Sequence, residues 1–130
     1  MQQELLAIIE YGGYPDFSSL YTRLGFSVVQ MNNMRKVIQY LKRRQPAVIV
    51  AEFNFQSDFR DRTSSLESLL AVTQRWPEIR VIILYDAEFR PQFDKLAARF
   101  VIAQALAFPV TEEQIARALA STGAPQPRSC

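Results

Sequence analysis

The sequence predicts an α/β domain, a doubly wound sheet of five parallel strands with helices on both faces. Three observations carry this. Short apolar runs alternate with amphipathic segments along the 130-residue chain, the βα order that a parallel sheet requires. The strongest runs, Val48 to Ala51 and Val81 to Leu84, are continuous rather than alternating, which suits strands covered on both faces. A chain of this length is also one domain of ordinary size, able to bury a core without a disulfide or a metal.

The first strand is expected over Leu5 to Ile9. Asp16 to Leu24 supplies the first helix, with Gly25 as its C-terminal cap, because glycine tolerates the left-handed backbone that ends many helices. Phe26 to Met31 is the second strand. Met34, Val37, Ile38 and Leu41 recur at helical spacing, with Arg35, Lys36, Lys42 and Arg43 on the other side. Val48 to Ala51 forms the third strand. Leu66, Leu69, Leu70 and Val72 mark a third helix, started by a capping box from Ser64 to Glu67. Val81 to Leu84 is the fourth strand, and a helix through Phe93, Leu96 and Ala97 follows, with Pro91 in its first turn. Phe100 to Leu106 is read as the fifth strand despite its alanines. Thr111 caps a last helix carrying Ile115 and Leu119. Residues 1–122 then form the domain, and 123–130, with Pro125 and Pro127, a flexible tail.

Composition excludes several classes. Net charge is +2, and the one dense basic run, Lys42-Arg43-Arg44, falls at a predicted helix end, where it complements the helix dipole. No nucleic-acid reading motif is present, so no nucleic-acid partner is expected. No apolar run approaches the roughly 20 residues of a membrane span, and Met1 to Glu4 has no basic segment of the signal-peptide kind. The single cysteine, Cys130, cannot form an internal disulfide. These features lead to the expectation of a cytoplasmic protein with no membrane partner. The chain contains no histidine, which rules out Ser-His and Cys-His catalysis and histidine metal sites.

Four segments, in order and at matching spacing, resemble the receiver domains of bacterial response regulators. They are Gly25-Phe26-Ser27-Val28, Pro46 through Glu52, Trp76 through Leu84, and Ala105 through Val110. The resemblance covers roughly residues 5 to 120 and implies the flavodoxin-like receiver fold. It also implies a phosphorylation site at the carboxyl ends of the strands: an aspartate after the third strand, two acids after the first that help hold Mg²⁺, a hydroxyl after the fourth, and a lysine before a proline after the fifth. Lysine and metal offset the charge of the transferring group.

Residue by residue the chain departs from that set. Glu52 stands at the phospho-acceptor position, Glu10 and Tyr11 at the acid pair, Tyr85 at the hydroxyl and Phe108 at the lysine. Ala105 stands at the aromatic switch position, and Pro109 is kept. The longer Glu52 displaces its carboxylate by about 1 Å, enough to cost roughly a hundredfold in an in-line transfer. The chain therefore resembles a degenerate, non-phosphorylatable receiver with no catalytic residues, weak or absent Mg²⁺ binding and no cofactor. The resemblance further implies a cis Phe108-Pro109 bond, with the Phe108 ring over Glu52 and Tyr85.

Aromatic residues gather at the predicted strand ends. They either fill the volume that lysine, metal and water would occupy or form an interaction patch, for which Tyr14, Phe55, Phe59, Phe89 and Phe93 are the candidates. The leading expectation is a non-catalytic signalling module that binds a partner signalling protein or a second copy of itself. One alternative is an active receiver with an atypical acceptor, using Glu52 or a nearby aspartate such as Asp58 or Asp61. Another is a flavin or nucleotide carrier on the same fold. Gly12-Gly13 could cradle phosphate, but no Gly-x-Gly-x-x-Gly motif accompanies them.

Overall fold

The computed structural model describes residues 3–8, 17–53, 65–108 and 110–123. Strands β1 (Gln3–Ile8), β2 (Phe26–Met31), β3 (Val48–Phe53), β4 (Arg80–Asp86) and β5 (Gln104–Phe108) form one sheet in the order β2-β1-β3-β4-β5. Every pairing is parallel. The helices are α1 (Ser18–Arg23), α2 (Met34–Arg43), α3 (Ser65–Thr73), α4 (Arg90–Ala97) and α5 (Glu112–Gly123). This is the doubly wound five-stranded sheet that the alternation of runs predicts.

Strand alternation divides the core in two. Leu6 and Ile8, then Ile49, Ala51 and Phe53, then Val81, Ile83 and Tyr85 face one side, where Met34, Val37 and Leu41 of α2, Leu69 and Leu70 of α3, and Phe93 and Leu96 of α4 cover them. Leu5 and Ala7, Val48 and Val50, Ile82 and Leu84 face the other, beneath Phe17, Leu20 and Tyr21 and beneath Ile115, Ala118 and Leu119 of α5. Because successive side chains point to opposite faces, a strand buried on both sides must be apolar at every position. The continuous runs in β3 and β4 have that cause.

Local signals are met where they can be seen. Gly25 has φ +95°, a left-handed conformation, and its N–H donates to the Thr22 carbonyl at 3.0 Å to close α1. Thr111 and Gln114 form a reciprocal cap on α5. The Gln114 N–H donates to Thr111 Oγ1 at 3.1 Å, and the Thr111 N–H to Gln114 Oε1 at 2.9 Å. Pro91 sits in the first turn of α4. Asn33, not anticipated as a cap, accepts the Lys36 N–H at the start of α2.

Several expected boundaries shift: β1 begins at Gln3 rather than Leu5, β3 runs on to Phe53, and β4 spans Arg80–Asp86 rather than Val81 to Leu84. The fifth strand begins at Gln104, not Phe100. Residues before it run outside the sheet, with Val101 78% exposed, because the chain leaving α4 turns at Ala98 and Arg99 and first meets β4 through the Ala103 N–H on the Val81 carbonyl. Helix α5 runs through Gly123, one residue into the expected tail; 124–130 lie outside the described residues. So does Ser64, the first member of the expected capping box.

Candidate functional site

In an open parallel sheet, ligands bind at the carboxyl ends of the strands where the winding direction reverses. Here that point lies between β1 and β3. The segments that leave those strands, 9–16 and 54–64, lie outside the described residues. With them go Glu10, Tyr11, Tyr14, Phe55 and Phe59, and also Gly12, Gly13, Asp58 and Asp61. Pro109 lies outside them too, and with it the geometry of the Phe108-Pro109 bond. The described part of the edge consists of the ends of β3, β4 and β5.

Glu52 is half-buried near the end of β3, opposite Leu84 in the register. Alternation places it on the side of Val48 and Val50, toward α1 and α5. Phe108, at the end of β5, is half-buried and packs against the same cluster. Tyr85 lies on the opposite side. It is buried, 6% exposed, and its ring stacks on Phe93 with centroids 4.4 Å apart and planes 6° from parallel. Phe53, its neighbour across the strands, meets the same Phe93 ring edge-on at 5.5 Å. The expected cover of Phe108 over both Glu52 and Tyr85 therefore does not form, since the two lie on different sides of the sheet. The odd or even position of a residue in its strand decides this.

Phe93, expected on an interaction surface, is a core residue at 3% exposure. It fills the space between Phe53 and Tyr85, which a surface position could not do. Phe89 is half-buried and packs against the same cluster. Of the five rings proposed as a patch, these are the two the structure describes, and both lean inward.

Asp86 was not anticipated at this edge. It ends β4 opposite Phe108, and its Oδ1 accepts the Glu88 N–H at 2.9 Å, capping the 3₁₀ turn Ala87–Phe89. An aspartate two residues before an N–H that it can reach is a local turn signal readable from sequence. Glu52 and Asp86 are the acids within the described strand ends, and Asp86 lies two positions further along, about 6–7 Å in the strand direction. No cluster of three or more metal-ligating side chains occurs among the described residues. Mg²⁺ requires near-octahedral oxygen ligation and gives up its water reluctantly; of these two carboxylates that of Asp86 is engaged as a cap, and Glu10 lies outside the described residues. The ends of β3, β4 and β5 also carry no lysine or arginine.

No protein-family profile matches the chain, and neither does any curated protein. Solved structures do match in shape. A response regulator protein from Burkholderia multivorans superposes with TM-score 0.73 at 15% identity, over 98% of this chain and 100% of that one. A response regulator receiver domain from Clostridium thermocellum gives 0.73 at 15%, over 92% and 93%. The chemotaxis response regulator CheY4 of Vibrio cholerae gives 0.72 at 13%, over 94% and 99%. The fold is that of the CheY-like receiver domains.

Proposed function

We infer that the chain is a signalling module on the receiver fold, acting through contact with a partner protein or a second copy of itself, and that it does not take up phosphate by the aspartyl route. The observation that carries this reading is the chemistry of the strand ends. Phosphoryl transfer is catalysed by positioning and by cations set against the developing charge. Here the acceptor position holds the longer Glu52. The hydroxyl position holds Tyr85, packed into the apolar side against Phe93. The cation position holds Phe108, packed on the α1 and α5 core. Each change removes a different component, so no single substitution repairs the set. With no histidine in the chain, hydrolytic dyads built on that residue are also excluded. What the fold retains is surface, and a module without chemistry acts by binding.

The test is incubation with acetyl phosphate and Mg²⁺ followed by intact mass. No added phosphate is expected in the wild type or in Phe108→Lys, because Glu52 and Tyr85 remain. A stoichiometric adduct that survives acid and is lost in base would overturn the reading and favour an atypical acceptor.

A further inference from the structure

Residues 17 to 51 contain Arg23, Arg35, Lys36, Lys42, Arg43 and Arg44 and not one aspartate or glutamate. Arg23 pairs with Glu112 and Arg44 with Glu4. Arg35, Lys36, Lys42 and Arg43 are all exposed on α2, and none has an ion-pair partner among the described residues. At about 100° per residue, Arg35 and Lys42 lie in one row and Lys36 and Arg43 in a second, each row spanning about 10 Å. The exposed Gln39 lies between the rows. The buried stripe of Met34, Val37 and Leu41 occupies the opposite side of the helix.

Folding accounts for half of this charge. Lys42 and Arg43 lie in the last turn, where the helix dipole favours cations. Arg35 and Lys36 lie in the first turn, which has no acid and where the dipole favours anions. Beside them, at the end of the edge strand β2, Gln30, Met31, Asn32 and Lys36 line an open groove of about 430 Å³. The Gln30 amide already donates to the Ser18 hydroxyl; the Asn32 amide and the Lys36 ammonium offer donors to a carboxylate, and Met31 offers an apolar wall.

We propose that the outer side of α2 is a docking surface for an acidic helical segment of a partner protein, its carboxylates set against Arg35, Lys36, Lys42 and Arg43 and one end reaching the groove at β2. This rests on the reading of the chain as a partner-binding module and specifies the chemistry of the partner. The surface itself favours protein over the other polyanions. Single-stranded nucleic acid is held by aromatic platforms beside the cations; the one aromatic of α2, Tyr40, is half-buried with its hydroxyl bonded to Glu4. An interfacial membrane helix needs large apolar residues on the side that meets the lipid; the exposed positions here are Arg35, Lys36, Gln39, Lys42 and Arg43.

The probe is a three-heptad helical peptide with glutamates in two rows at the matching spacing, titrated into the full chain near physiological salt. Amide shifts confined to α2 and the end of β2 are expected, with affinity that falls as salt rises. Arg35→Glu with Lys42→Glu should weaken binding by about tenfold or more, since each reversal replaces attraction by repulsion. The neutral pair Arg35→Gln with Lys42→Gln should fall between. Arg75→Glu with Lys95→Glu, the same change in net charge on other exposed positions, should leave it unchanged. Equal weakening by that control, no binding, or tighter binding at α2 of duplex DNA or phosphatidylserine vesicles would overturn the proposal. Phosphate uptake by the protein would defeat the functional reading while leaving peptide binding at α2 intact, so the two failures are distinguishable.

Discussion

Phe93 touches two strands at once. Stacked on Tyr85 and edge-on to Phe53, it fixes α4 to the ends of β3 and β4 through one ring. Phe93→Ala is expected to cost about 3–5 kcal/mol, the usual range for deleting a buried ring, read as a lower midpoint in urea; Phe93→Leu should recover much of the loss. Tyr40 carries a different kind of interaction. Its partial burial, and then its hydrogen bond to the Glu4 carboxylate, push its pKa from the ordinary 10.0 up to about 12. Because the folded value is raised, this contribution to stability is complete below pH 10 and is lost as pH rises through about 12. In a spectrophotometric titration Tyr40→Phe should remove an ionisation step near pH 12. Neither role could be read from sequence. Both depend on which residues of distant segments become neighbours.

At the scale of elements, the helix signals were the most legible, because a cap is a local event. The Thr111–Gln114 pair satisfies backbone N–H groups within one turn of the chain. Thr111→Ala should therefore destabilise by about 1 kcal/mol, measurable as a lowered Tm, with hydrogen exchange accelerated in the first turn of α5. The fifth strand was less legible. The run from Phe100 to Leu106 is apolar throughout, but composition does not say where a chain joins a sheet; the turn after α4 and the first bond to Val81 do. The strand-end site suffered similarly. Glu52, Tyr85 and Phe108 lie toward the carboxyl ends of β3, β4 and β5, yet their separation onto two sides depends on register. A shift of one residue reverses every side chain.

For the whole molecule, the doubly wound fold was legible because it is an average over many residues: five apolar runs, helical spacing between them, and a length that one core can fill. The four cations of α2 were legible as the polar side of an amphipathic helix; the larger pattern is the absence of acids from 17 to 51. The sheet has a further consequence for how these molecules behave in company. Among the described residues, β2 pairs with β1 alone and β5 with β4 alone, so each has one row of backbone donors and acceptors with no described strand beside it. Neither Phe26–Met31 nor Gln104–Phe108 contains a charged residue, the usual guard against a second chain adding on. Ala105 is exposed in β5, so Ala105→Lys should leave Tm nearly unchanged while slowing the growth of light scattering on prolonged warming. If scattering grows as fast in the variant, the β5 border is not where aggregation starts. With two uncharged borders the sheet has no charge to turn a newcomer away at either edge, and concentration and heat are the conditions under which the protein would clot.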